Sequence, residues 1–111
     1  VLQMLDGLAP AEQLVTRDVA DGVTNFLLDM RSEEGGLQAN GRIPFADLLS
    51  TFTGAWTLHR LESLDQLEAG EVLAYVRGLE QPGGGFHGHL ADEVVDVEYT
   101  FYGLGTLALL L

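Results

Sequence analysis

Residues 81–109 read QPGGGFHGHLADEVVDVEYTFYGLGTLAL, and 49 positions earlier residues 32–60 read SEEGGLQANGRIPFADLLSTFTGAWTLHR. Laid over each other without a gap, the stretches match Gly35-Gly36 with Gly84-Gly85, Asp47 with Asp96 and Thr51-Phe52 with Thr100-Phe101. They also match Gly54 with Gly103 and Thr57-Leu58 with Thr106-Leu107. Working outward adds Ala20 with Ala69, Val23 with Val72 and Leu61 with Leu110. That makes 11 identities over residues 20–62, where composition alone gives about four, so the offset marks an internal repeat. Conservative pairs follow the same register: Phe26 with Tyr75, Leu27 with Val76, Met30 with Leu79 and Leu37 with Phe86. The chain therefore divides into two copies of one unit, 18–62 and 67–111, with residues 1–16 as the expected tail of a preceding unit.

Each unit reads as helix, glycine-rich loop, helix. Val19, Val23, Phe26, Leu27 and Met30 follow helical spacing, as do Val72, Tyr75, Val76 and Leu79, which predicts first helices over about 18–31 and 68–80. Asp18 and Asp21 suit the positive start of the first. Glycines 35, 36 and 41, and 83–85 and 88, end these helices and turn the chain. Second helices are expected over about 44–61 and 94–110, with Pro44 in the first turn of one and Asp96 as N-cap of the other. Gly54, Gly103 and Gly105 each cost about 1 kcal/mol against alanine in a helix, and close approach of a neighbouring helix is the expected return. The second helices are apolar nearly all round, which predicts burial on several sides. The first helices are one-sided, with Arg17, Arg31, Glu71, Arg77 and Glu80 exposed. The expected fold is all-α: helical-hairpin repeats in an inner and an outer layer.

Composition narrows the function. The 111 residues make one domain. Seventeen acidic against five basic residues give a net charge of −12, which disfavours nucleic acid and anionic lipid surfaces. All five basic residues are arginine, and the absence of cysteine removes disulfides and thiolate ligands. Apolar residues at 47% suffice for a packed core. No apolar run reaches the roughly 18 residues of a membrane span, and the start lacks the basic and apolar regions of a secretory signal. The expectation is a cytoplasmic protein with no membrane span. Both ends sit within apolar patterns, so the chain is expected to be part of a longer one. No phosphate-binding glycine loop follows a strand, and no serine or cysteine nucleophile with a histidine base is visible.

The segment Gln81-Pro82-Gly83-Gly84-Gly85-Phe86 through Asp96-Val97-Glu98-Tyr99-Thr100-Phe101-Tyr102-Gly103-Leu104-Gly105-Thr106-Leu107-Ala108-Leu109 resembles the repeat of protein prenyltransferase β-subunits. It resembles, less closely, the repeat of squalene–hopene-type cyclases. Gly35-Gly36-Leu37 to Leu58 follows the same pattern more loosely, so the resemblance spans about residues 18–111. It implies an α/α toroid, two repeats and the tail of a third, with inner helices around a cavity that holds an isoprenyl diphosphate. It implies a transferase, if active, that passes an isoprenyl group to an acceptor, with zinc, and with a protein acceptor or partner subunit. Of the family's Asp-x-Cys-Tyr zinc motif, Asp96 and Tyr99 are present and Glu98 replaces the cysteine. The basic residues six and three positions before that Asp are here Leu90 and Glu93. A second family pattern, His-x-x-Tyr-Thr-Phe-x-Gly-Leu, matches at Tyr99-Thr100-Phe101 and Gly103-Leu104, with Asp96 in place of the His.

The candidate site residues each carry two readings. Asp96 and Glu98 are carboxylate metal ligands, or an N-cap and a rim acid. Phe45, Leu49, Phe52 and Trp56 form a stripe at helical spacing. With Tyr99 and Phe101 it is an isoprenoid wall or ordinary core. His87 and His89, with Asp92 and Asp96, are possible zinc ligands or solvent-exposed loop residues. His59 reads as a packed or C-terminal helix residue, and Arg42 as a phosphate contact or a surface arginine. The rivals to a prenyltransferase-like enzyme are a non-catalytic toroid that binds a protein or hydrophobic ligand, and a terpene cyclase fragment. The cyclases' Asp-x-Asp-Asp motif does not occur here.

Overall fold

A computed structural model describes residues 16–91 and 95–111, with the Val95 and Asp96 side chains outside the description. The expected repeat tail, residues 1–16, lies outside it but for Thr16, as do Asp92 and Glu93. The described residues are mostly helical. Helix α1 is Arg17–Asp29, α2 Leu48–Arg60, α3 Ala69–Gly78 and α4 Val97–Leu110. A 3₁₀ turn, Leu64–Gln66, precedes α3. Two-residue strands β1 (Phe86–His87) and β2 (Val95–Asp96) pair antiparallel before α4, Phe86 opposite Asp96 and His87 opposite Val95.

The helix ends follow from local chemistry. Thr16 Oγ1 accepts the Val19 N–H at 3.2 Å and starts α1. Asp47 caps α2: one carboxylate oxygen accepts the Ser50 N–H at 2.7 Å and the other the Ser50 hydroxyl at 2.8 Å. Pro44 is thus not in the first turn, as its ring geometry suggested, but in the loop before it. Ala46 pairs across the loop with Gln38 and gives its N–H to Glu34 Oε1 at 2.8 Å, which holds the chain extended up to the cap. After α2 the Ser63 N–H returns to the Leu58 carbonyl and the Glu62 N–H to that of His59. Glu62 sits at φ 59°, a left-handed close of the Schellman kind.

The loops repeat their main backbone turns at the 49-residue offset. The Ser32 and Gln81 N–H groups reach the carbonyls of Gly36 and Gly85, each at 2.9 Å. The turns so closed hold Gly35 at φ 106° and Gly84 at φ 104°, where a side chain is strained. The chain then doubles back, and Gln38 N–H meets the Met30 carbonyl at 2.8 Å as His87 N–H meets that of Leu79 at 2.9 Å. This return aims one apolar side chain per loop, Leu37 or Phe86, at the next helix. It lands on a glycine in both cases: a Cβ on Gly54 would strike Leu37, and one on Gly103 would come 2.5 Å from the Phe86 ring. The anchor's own N–H is taken by a threonine one turn earlier, Leu37 by Thr51 Oγ1 at 3.0 Å and Phe86 by Thr100 Oγ1 at 3.2 Å. Gly-Gly, anchor, Thr and Gly are therefore one device, which explains why these positions match between the copies. Full burial of each anchor is worth about 1.5–3 kcal/mol.

The core lies between the units. Leu37, Ala46, Leu48, Ala55 and Leu58 of the first pack with Leu67, Val72, Tyr75, Val76, Leu79 and Phe86 of the second. On α3 the buried residues Val72, Tyr75 and Val76, followed by Leu79, form the expected stripe. Leu48 gives its N–H to the Gly88 carbonyl at 2.7 Å, a backbone bond across the units. Two expectations of burial are not met among the described residues. Val19 and Phe26 of the α1 stripe are exposed, and of α4 only Gly103 and Thr106 are buried while Val97, Phe101 and Leu104 face out. The cover that α4 gives to α2 has no counterpart for α4 among the described residues.

Thr51→Val is expected to cost about 1–3 kcal/mol in urea unfolding, because the buried Leu37 N–H loses its acceptor while shape is kept. Thr100→Val should cost less, since Thr100 is only part-buried.

Candidate functional site

Helices α2 and α4 lie side by side because α4 presents Gly105 to Phe52; any Cβ there would meet that ring. Around Phe52 gather Trp56, centroids 5.6 Å apart and tilted, Phe101 at 5.6 Å edge-on, and Tyr102 at 5.7 Å stacked. Phe101 and Tyr102 also meet edge-on at 5.7 Å. Such pairs add about 0.5–1.5 kcal/mol beyond burial, so the cluster is both packing and surface. Its outer members, Phe101 and Trp56, are exposed, and so are Phe45 and Leu49 earlier in the stripe. Within α2 the stripe is neither closed core nor scattered surface but an apolar face with aromatic edges, while Phe45, expected in the same helix, lies in the loop before it because the helix starts only at Leu48.

Of the five aromatic residues singled out from the sequence, Phe52, Trp56 and Phe101 come together. Tyr99 does not join them: its ring packs under Gly88, which has no Cβ to obstruct it. Tyr102 takes its place in the cluster. Tyr102 matches Thr53 in the other copy, so comparison of the two copies passed over it. Its position four residues after Glu98 on one helix is the signal that could have found it.

The Tyr102 hydroxyl donates to Glu98 Oε1 at 2.9 Å. Glu98 is exposed at the start of α4, next to the aromatic face. As a zinc ligand it needs companions, and among the described residues no three His, Asp or Glu side chains group closely enough to hold a metal. The Asp96 and Asp92 side chains lie outside the description. The donors described therefore do not make up a zinc set, and Glu98 serves here as acceptor to Tyr102.

Of the remaining polar candidates, His87 has a side-chain partner. His87 is not the solvent-exposed loop residue its setting suggested. It is part-buried in β1 and accepts from the Gln81 side-chain amide through Nε2, while Nδ1 is buried without a partner among the described residues. His89 is part-buried. His59 is exposed in the last turn of α2, where a positive charge meets the helix C-terminus favourably. Arg42 is exposed in a turn closed by Asn40, whose Oδ1 accepts the Arg42 N–H at 2.8 Å. Leu90, at a position where the resembled family has a basic residue, is exposed.

One buried polar group escaped the sequence reading. Tyr75 lies with its ring against Gly36, where a Cβ would come 2.6 Å from it, and is 3% exposed. Its hydroxyl has no hydrogen-bond partner among the described residues. Burial, then the charges of Glu34 and Asp47, push its pKa well above the usual tyrosine value. The unfolded chain loses this proton near pH 10 and the folded one keeps it, so stability falls as pH rises above about 10. Tyr75→Phe is expected to be at least as stable as the parent at neutral pH, because an unpaired buried hydroxyl is removed. It should also flatten the loss of stability above pH 10, as read from urea midpoints between pH 7 and pH 11.

No helix among the described residues is long and apolar enough to cross a membrane. No protein-family model matches this sequence, and no curated protein sequence matches it significantly.

Proposed function

We infer that this chain is a portion of a prenyltransferase-like α/α toroid, whose aromatic face between α2 and α4 contacts the hydrocarbon of an isoprenyl diphosphate. The observation that carries the reading is the open cluster of Phe52, Trp56, Phe101 and Tyr102. A polyunsaturated chain suits such a face, because its apolar length gives up water to ring surfaces at about 25 cal/mol per Å². The motif from Asp96 to Leu104 supplies the family resemblance and the expected enzyme class. In a complete enzyme of this kind helix N-termini and cations would stabilise the leaving diphosphate, and a metal would activate the acceptor. This chain's contribution is the hydrocarbon wall.

A second reading is a non-catalytic scaffold of the same architecture that holds a hydrophobic ligand or a protein partner. Leu90 and Glu93 in place of cations, Glu98 in place of a thiolate, and a net charge of −12 favour it.

Trp56 is the only tryptophan, so its fluorescence reports on the face directly. Titration with geranylgeranyl diphosphate is expected to shift Trp56 emission. Phe101→Glu, which places a charge on the exposed edge, should weaken binding at least about tenfold, which corresponds to about 1.4 kcal/mol. Failure of both the diphosphate and geranylgeraniol to perturb Trp56 refutes the hydrocarbon wall. Equal binding of the alcohol and the diphosphate favours the scaffold.

A further inference from the structure

The two copies of the unit differ sharply on one face. In α2 the residues Leu48, Phe52 and Ala55, at positions i, i+4 and i+7, line the side turned to the second unit. Leu48 and Ala55 are 0% exposed and Phe52 is part-buried. Forty-nine residues on, the same face of α4 carries Val97, Phe101 and Leu104, which are 88%, 61% and 56% exposed. The sequence keeps this face apolar in both copies and even enlarges Ala55 to Leu104. Only the cover differs.

The face of α2 is covered by specific contacts. The loop carbonyl of Gly88 accepts the Leu48 N–H, Gly105 admits the Phe52 ring, and Phe101 and Tyr102 pack against that ring. All of these belong to the unit that follows α2 in the chain. We propose that Val97, Phe101 and Leu104 form a docking face for one further helical hairpin of the same repeat, with a glycine where Gly105 stands. The glycine follows from geometry, because Phe101 would enter the next unit as Phe52 enters this one. A second copy of this chain fits poorly: its first unit carries Trp56 at the position of Gly105, which would fill the space the ring needs. Phe101 also belongs to the aromatic cluster between α2 and α4, so the test is made at Val97 and Leu104, which lie outside that cluster.

The test lengthens the chain by its own second unit. Leu111 occupies the register of Glu62, so residues 63–111 are appended directly after it, with Leu111→Glu to reproduce the original junction. The expected result is a monomer that unfolds in urea in a single transition, with a higher midpoint and a steeper denaturant dependence than the parent. Backbone amides of residues 97–104 should gain protection from hydrogen exchange. Val97→Glu with Leu104→Glu should leave the parent's midpoint unchanged, since both side chains are exposed there, but abolish the gain in the lengthened chain. The proposal is overturned if the appended unit melts separately while the parent's midpoint stays put. It is equally overturned if the parent alone dimerises in sedimentation velocity and the double substitution dissociates the dimer, which would make a second copy the occupant.

Discussion

The fold turns on a threonine hydroxyl that reaches out of a helix to take the N–H of a loop residue. Thr51 accepts from Leu37 at 3.0 Å and in turn donates to the Asp47 carbonyl at 2.7 Å, so one side chain ties the loop, the helix cap and the helix body together. The bond orients the anchor: with its N–H fixed, the Leu37 side chain points at Gly54 and nowhere else. Leu37 and Thr51 are both fully buried, so neither donor nor acceptor has water to fall back on, and breaking the pair exposes a cost rather than an exchange. The helical glycines that look wasteful as helix formers are the receiving surface for these anchors. Their loss of propensity, about 1 kcal/mol each, is offset by an apolar side chain seated against backbone.

This device accounts for what could be read in the sequence and what could not. Gly35 with Gly84, Thr51 with Thr100 and Gly54 with Gly103 recur at a fixed offset because each is needed by backbone geometry or by a single hydrogen bond to the anchor, and such positions tolerate few residue types. Helix existence and order follow from the same stretch. The start of α2 did not: Pro44 is a good first-turn residue, yet the competing acceptor Glu34, twelve residues upstream, holds Ala46 in an extended pairing and moves the start to Leu48. Local preference lost to a contact that no window around Pro44 contains. The burial of α4 was misjudged for a related reason. Apolar pattern states which faces seek cover, and Val97, Phe101 and Leu104 find none among the described residues.

The candidate site shows the same division. The stripe Phe45, Leu49, Phe52, Trp56 was visible as periodicity, and its meeting with Phe101 follows once α2 and α4 are neighbours. Which aromatic of α4 would complete the cluster was not visible, because Tyr99 and Tyr102 differ by little in sequence. Tyr99 is drawn away by Gly88, whose bare backbone accommodates its ring. Tyr102 remains beside Phe52, with its hydroxyl turned to Glu98. Glu98, prominent in sequence as a substituted ligand, accepts the hydrogen bond of the Tyr102 hydroxyl.

Placing the core between units rather than inside them has a consequence for function. A hairpin of this kind owns only half of its apolar contacts, and each second helix must present one face to the next unit and another to whatever lies across from it. On α2 those faces carry different chemistry. Leu48 and Ala55 are aliphatic and fully covered, while Leu49 and Trp56 are open. Phe52 sits at the boundary, packed against Gly105 on one side and Trp56 on the other. Stacking of units thus fixes the direction of the aromatic edge without using it up. Because the ring of Phe52 is held by the same glycine that brings the helices together, any change that loosens the packing of α4 on α2 also moves the aromatic face. In this architecture stability and the shape of the aromatic face are not separable properties, since both rest on how closely two helix backbones approach at one glycine.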